Sequence, residues 1–240
     1  MEMISIITPS HEHNTKEMEC LLASSYKLNI NLEIIGIGKE WRGFFSKLEW
    51  IISYCNSISD VENRIIIMTD AYDVFYLQES SIIIDKFKRM GYRILWSSEK
   101  QYAHQLTSDF SFYHLRDISN YRYLNTGGFI GYAKDLKKFF NGVMEMMKNE
   151  DWDTSLKGVD QTAISHYIAV EGSNYELGLD YNCEIFYTSS KDQDDIDNYV
   201  EFHNNKLFVK ETESYPCVVH VPWKGRYRKV LEYLFKKWNI

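Results

Sequence analysis

The sequence predicts an α/β fold, a doubly wound and mostly parallel sheet with helices on both faces. Short β-branched runs alternate with amphipathic segments of helical length over residues 1–98, the pattern of βαβ units. One of those runs, Ile65-Ile-Ile-Met68, is apolar at four successive positions and β-branched at three, as suits a central strand covered by helices on both sides. Asp70 and Asp73 stand just past its carboxyl end, in the crevice where open α/β sheets bind ligands. With 240 residues, 45% of them hydrophobic and 15% aromatic, the chain can bury a full core as one domain.

Residues 3–8 read as the first strand, ending at Thr8-Pro9-Ser10. His11 and His13 follow on a loop; alternate histidines can ligate metal, but with no third ligand nearby solvated loop residues are the plainer reading. Residues 15–28 read as a helix with Thr15 as N-cap and Met18, Leu21, Leu22 and Tyr26 along its apolar side. The second strand, residues 32–37, runs into Gly36-Ile-Gly38 and then Trp41-Arg42-Gly43. The glycines alone fall short of a dinucleotide fingerprint, whereas a ring and a guanidinium beside a strand end suit a base or a phosphate. Residues 44–55 form an amphipathic helix with Phe44, Leu48, Ile51, Ile52 and Cys55 as its buried stripe. Lys47, beside that stripe, either extends its ammonium toward a diphosphate or lies on the surface. A helix over residues 79–90 closes at Gly91, and residues 92–98 make the fourth strand.

Asp70 and Asp73, three residues apart on a turn, can face one small volume, where their repulsion is relieved by a divalent cation. Aspartates are also ordinary turn formers. The formal net charge of -7 argues against a general nucleic-acid binder, and no apolar run is long enough to span a bilayer. Met1 leads straight into an apolar strand with Glu2 in place of a basic region, so the sequence reads as cytoplasmic, without a secretory signal. Cys20, Cys55, Cys183 and Cys217 lack CxxC spacing, which disfavours a zinc knuckle or a disulfide scaffold and predicts reduced thiols.

Residues 99–122 lapse into an aromatic, polar stretch of the kind that serves as a lid or an acceptor surface. Tyr123-Leu-Asn-Thr-Gly-Gly-Phe-Ile-Gly-Tyr132 carries three glycines, for a sharp turn, a close approach or a strand bulge. Residues 135–147 are helical, and a further helix opens at Val159-Asp-Gln161, where Asp160 reads as an N-cap or a first-turn acid. Residues 191–197 read as a solvated acidic loop, 201–209 as a hairpin about Asn204-Asn205, and 226–238 as a basic amphipathic helix packed on the domain.

Several of these segments stand together in one order: Gly36-Ile-Gly-Lys-Glu-Trp-Arg-Gly43 with Lys47, Met68-Thr-Asp-Ala-Tyr-Asp-Val74, Ser97-Ser-Glu99, the stretch from Tyr123 to Tyr132, Asp160-Gln161, Leu179-Asp-Tyr-Asn-Cys-Glu-Ile-Phe186 and His220. The set resembles the glycosyltransferase domain of the procollagen lysyl hydroxylase (PLOD) and collagen glycosyltransferase family, over about residues 32–225. The resemblance implies a GT-A fold and transfer of a hexose from a UDP-sugar, UDP-glucose or UDP-galactose, with Mn²⁺, or alternatively Mg²⁺, as cofactor. The acceptor it implies is a protein or glycan hydroxyl, such as hydroxylysine or galactosyl-hydroxylysine of a collagen-like chain. The whole of residues 1–240 is then one transferase domain, 1–98 its nucleotide-binding half and 99–240 its acceptor and sugar half, with no room for the family's oxygenase half.

By the same resemblance, Asp70, Asp73 and His220 are the metal ligands. Two carboxylates and an imidazole suit Mn²⁺ better than a calcium cage. Tyr72 stacks on uracil, Thr8 and Trp41 belong to the nucleotide end, Lys47 contacts the donor, and Lys224 and Gly225 close over the diphosphate. Asn125, Gly127, Gly128, Asp160 and Gln161 line the sugar and acceptor side, with Asp160 as the carboxylate nearest the reacting sugar. Three segments depart from the family. Its aspartate run before Asp-Gln is here Ser155-Leu-Lys-Gly-Val159, its turn after the histidine is here Val221-Pro-Trp-Lys-Gly225, and residues 100–122 do not match. A nucleotide-sugar hydrolase and a catalytically silent sugar-nucleotide-binding module are the alternative readings.

Overall fold

The computed structural model describes residues 3–13, 16–101, 119–155, 158–189, 196–204, 206–222, 233–234 and 236–238. A sheet of six strands forms its centre: β1 (Met3–Pro9), β2 (Leu32–Ile35), β3 (Arg64–Thr69), β5 (Ile94–Glu99), β6 (Tyr123–Tyr132) and β7 (Leu177–Leu179). The strand order is β2-β1-β3-β6-β5-β7, in which β6 alone runs antiparallel to its neighbours. Helices α1 (Glu19–Lys27), α2 (Phe44–Ser57), α3 (Ser80–Met90), α4 (Ala133–Asn149) and α5 (Val159–Glu171) flank it. This is the mostly parallel, helix-flanked architecture of the GT-A type.

β3 shows why the layers form. Its side chains alternate between faces, so Ile66 and Met68 pack with Leu48 and Ile51 of α2, Phe139 and Phe140 of α4 and Ile164 of α5. Ile65 and Ile67 face the other way, toward Leu21 of α1 and Ile83 and Phe87 of α3. All four are essentially inaccessible, and each fully buried chain of this size contributes about 2 kcal/mol relative to exposure. α3 ends where Gly91 takes the left-handed conformation, φ 75°, that a side chain would resist.

A second sheet holds β4 (Val74–Tyr76), β8 (Phe186–Thr188) and β11 (Val218–His220) in the order β4-β11-β8. β11 runs antiparallel to β4 and pairs His220 with Val74; the Val221 amide donates to the Asp73 carbonyl at 2.9 Å. That register carries a C-terminal histidine to the Asp70–Asp73 turn. Asp180 anchors the turn into β8, accepting the backbone N–H groups of Glu184 at 2.8 Å and of Ile185 and Phe186 at 2.7 Å. Burial pushes its pKa up to about 6, against the pull of those three donors. β9 (Val200–His203) and β10 (Lys206–Val209) form the expected antiparallel hairpin. Leu234 and Trp238 of the C-terminal segment pack on Phe75 and Val219, and Lys27 lies over the Trp238 ring at 5.2 Å.

Several expectations need correction. Helix α1 begins at Glu19 after a 3-10 turn, Lys16–Met18, and Tyr26 is 90% exposed, because the rotation set by Met18 and Leu21 points it to solvent. Phe44 opens α2 on its exposed side, outside the buried stripe. Of the two expected readings, Asp160 is the first-turn acid and not the cap, a position held by Gly158, and its side chain is turned into the protein. The glycine stretch from Tyr123 to Tyr132 bears out the expected strand bulge: it is a full strand with an irregularity opposite Trp96 and Ser97, where pairing jumps from Phe129 to Asn125. Residues 102–118, most of the loop at 191–197, the N-cap Thr15, and Trp223, Lys224 and Gly225 lie outside the described residues. The four cysteines are free. Among the described residues no helix is long and apolar enough to cross a membrane.

Candidate functional site

The end of β3, the jump in β6, the start of α5 and the end of β11 meet at one point. There the ligand atoms of Asp70, Asp73 and His220 all lie within 4.8 Å of one another. His220 Nε2 stands 3.4 Å from Asp73 Oδ1 and 3.6 Å from Asp70 Oδ2, ion-pair separations that make no hydrogen bond, so this buried nitrogen has no hydrogen-bond partner. Such an orphan beside two carboxylates has the chemistry of a metal-binding imidazole. Burial alone would depress the His220 pKa; Asp73, and then Asp70, outweigh it and raise the pKa above the ordinary value, while Lys47 opposes them.

The other face of the ring is fixed by β6. His220 Nδ1 lies 3.1 Å from Asn125 Oδ1, which also accepts the Gly127 N–H at 2.8 Å. Asn125 Oδ1 can only accept, which favours a neutral imidazole with its proton on Nδ1 and its Nε2 lone pair free for a metal. Gly127 makes room for this: a Cβ built on it would fall 2.1 Å from His220 Cε1. A Cβ on Gly128 would lie 2.8 Å from the Phe186 ring. Both glycines thus allow close packing of β6, as the sequence suggested.

Lys47 lies inside the protein instead of reaching outward. Its Nζ is 2.6 Å from Asp70 Oδ1 and 3.4 Å from Asp160 Oδ2, and it donates to the Thr126 carbonyl at 3.0 Å. Burial would lower its pKa, but Asp70 and Asp160 outweigh that and raise it above the lysine range, so the ammonium stays charged. Asp160, 3% exposed, accepts from Thr126 Oγ1 at 3.2 Å. Gln161 accepts the Thr126 N–H at 3.0 Å and donates to Glu99 Oε1 at 3.1 Å. Asn125, Asp160 and Gln161 therefore come together with the cluster of Asp70, Asp73 and His220, through Lys47 and Thr126.

The nucleotide-end residues are placed differently. Thr8 is fully buried, and its hydroxyl donates to the Thr69 carbonyl at 2.8 Å, holding β1 to the end of β3. The Tyr72 hydroxyl is 2.9 Å from Ser10 Oγ, which ties the Asp70–Asp73 turn to the end of β1. Trp41 is 42% exposed and stacks on His11 with ring centroids 6.0 Å apart, against Phe44 and Trp50. Arg42 pairs with Glu49 on the surface. Sequence reasoning missed Thr126, and it gave Glu99 no role beyond its place in the Ser97-Ser-Glu99 motif; both matter through contacts that only the folded chain creates.

Residues 2–240 match the family model described as the PLOD GT domain. The chain is 28% identical over 216 residues to the uncharacterized protein R699 of Acanthamoeba polyphaga mimivirus, covering 86% of this chain and 42% of that protein. It is 25% identical over 221 residues to the human multifunctional procollagen lysine hydroxylase and glycosyltransferase LH3, covering 83% of this chain and 27% of that one. The Caenorhabditis elegans multifunctional procollagen lysine hydroxylase and glycosyltransferase is 25% identical over 253 residues, 98% of this chain and 32% of that protein. The chain thus spans less than half the length of these relatives. With a family model matched over nearly its full length, the chain belongs to the PLOD GT domain family.

Proposed function

We propose that the protein is a metal-dependent glycosyltransferase that moves a hexose from a UDP-sugar to a hydroxyl acceptor, such as hydroxylysine or galactosyl-hydroxylysine of a collagen-like chain. The observation that carries this is the cluster of Asp70, Asp73 and His220, with donor atoms within 4.8 Å and a buried Nε2 that has no hydrogen bond. Membership of the PLOD GT domain family, and the names of the relatives, supply the reaction class and the acceptor type.

Two carboxylates and a neutral imidazole fit Mn²⁺ or Mg²⁺, and those three residues hold the ion in this reading. Held there, a metal would supply Lewis acidity toward the diphosphate of the leaving nucleotide. Lys47 keeps Asp70 in place from behind and holds its proton throughout. Asp160 supplies a negative charge across Lys47, and as the carboxylate nearest the reacting sugar in this reading it would serve as a general base at the acceptor hydroxyl or stabilise positive charge developing on the sugar. Tyr72 and Trp41 flank the base, and residues 1–98 and 99–240 act as donor and acceptor halves of one domain.

Calorimetric titration with UDP-glucose, UDP-galactose, UDP-N-acetylglucosamine and a GDP-sugar, each with and without Mn²⁺, tests the reading. Binding of a UDP-sugar only in the presence of metal is expected. Binding of none, or binding indifferent to Mn²⁺, refutes it; release of UDP to water at the same rate with and without acceptor would make it a hydrolase.

A further inference from the structure

One buried carboxylate has no part in the chemistry above. Glu99, the last residue of β5, is 4% exposed, and its Oε1 accepts from both Asn125 Nδ2 at 3.0 Å and Gln161 Nε2 at 3.1 Å. A side-chain amide has one donating end and one accepting end, so holding the donor end aims the other. Asn125 Oδ1 is thereby aimed at the Gly127 N–H and His220 Nδ1, and Gln161 Oε1 at the Thr126 N–H and hydroxyl. The contacts then continue from Thr126 to Asp160, from Asp160 through Lys47 to Asp70, and from Asp70 back to His220. They form a closed circuit with Glu99 at the head of two of its arms.

We propose that Glu99 is a positioning residue: by holding both amides it keeps the His220 proton on Nδ1, presents Nε2 to the metal, and ties the metal centre to the setting of Asp160. If the Asn125 amide were reversed, its NH₂ would oppose the Gly127 N–H and face Nδ1. The imidazole would then move its proton to Nε2 and lose its ligand lone pair. The consequence for metal rests on the function proposed above, while the tautomer is a property of the metal-free protein.

The test uses ¹⁵N-histidine NMR of the metal-free full chain, at a pH where His220 is neutral and with the signal assigned by its loss in His220→Ala. It is joined to Mn²⁺ affinity by electron paramagnetic resonance and a thermal melt. Wild type is expected to show the Nδ1–H tautomer. Glu99→Leu, which keeps the bulk and removes both acceptors, is expected to shift to Nε2–H and to weaken Mn²⁺ about 10- to 100-fold. Glu99→Gln keeps one oxygen for the two amides and recovers the wild-type tautomer and most of the affinity. A folded Glu99→Leu protein with the Nδ1–H tautomer and wild-type affinity overturns the proposal. So does an Nε2–H tautomer in wild type, a readout that needs no variant to fold. Wild type with the Nδ1–H tautomer but no Mn²⁺ binding would instead refute the metal-dependent function and leave Glu99's positioning role supported.

Discussion

Lys47→Met separates the bridge from its surroundings, because methionine keeps the unbranched apolar stem, one atom shorter, and removes the charge. The ammonium lies 2.6 Å from Asp70 and 3.4 Å from Asp160 and donates to Thr126. Breaking a buried pair by deleting one partner costs about 3–5 kcal/mol, since the partner is left charged and unpaired. Asp160 is nearly closed off, whereas the Asp70 side chain is 28% exposed and partly screened by solvent, so we expect the lower part of that range, about 3–4 kcal/mol. At about 2–4 °C per kcal/mol for a chain of this size, the melting temperature falls by roughly 6–16 °C. Replacing Asp160 by Asn in the same variant removes the stranded charge, so the double variant is less destabilised than the sum of the singles. On the proposed function, Mn²⁺ would give Asp70 a substitute cation and raise the melting temperature of Lys47→Met more than that of wild type. Circular dichroism melts with and without Mn²⁺ measure all three effects. A Lys47→Met protein melting within about 2 °C of wild type would refute the bridge.

Four further substitutions test the ligand set, the β6 packing and the β8 turn. Asp70→Asn and His220→Ala each remove a ligand and should weaken Mn²⁺ by more than about 100-fold, the upper bound for changes that only reorient a ligand; paramagnetic resonance of free Mn²⁺ decides, and unchanged affinity in either variant would place the ion elsewhere. Gly127→Ala puts a Cβ 2.1 Å from the His220 ring, so this overpacking should cost about 1–3 kcal/mol and lower metal affinity, whereas a neutral melt would mean that β6 yields there. Asp180→Asn sets an NH₂ against one of three backbone donors and should cost about 1–3 kcal/mol in urea denaturation. The Asp180 pKa is about 6 when folded and about 3.9 when unfolded, so the folded state binds the extra proton between those values. The stability of wild type relative to Asp180→Asn should therefore decline as pH rises from about 4 to about 6 and level off above; a difference that grows with pH would contradict this.

What could be read from the chain followed the range of the interactions. The β3 run and the two aspartates after it were legible because burial on both faces and a strand-end turn leave local patterns. His220 carries no such pattern: β11–β4 pairing alone brings it to the turn, and it was found through resemblance to a family. Asp160 was legible as a cap or a first-turn acid and no further, because an acid at a helix start looks the same whether it faces solvent or a lysine on another helix. Lys47 was seen beside the apolar stripe of α2, but the stripe does not say that two carboxylates wait on its inner side. Tyr26 and Phe44 failed because helical spacing defines a stripe more loosely than packing does.

Among the described residues, the strand that completes the cluster is also the last along the chain. A ribosome extends a chain from its amino end at about 5–20 residues per second, and early segments begin to organise first. Lys47, Asp70 and Asp73 emerge long before His220, so throughout synthesis the aspartate turn has a built-in cation and only part of a ligand set. Lys47 thus serves as a placeholder that lets the central sheet close around acidic groups without waiting for an ion. On the proposed function, metal loading would be a late event, gated by the arrival of β11, and a nascent chain halted before Val218 should fold much of its sheet yet capture no manganese.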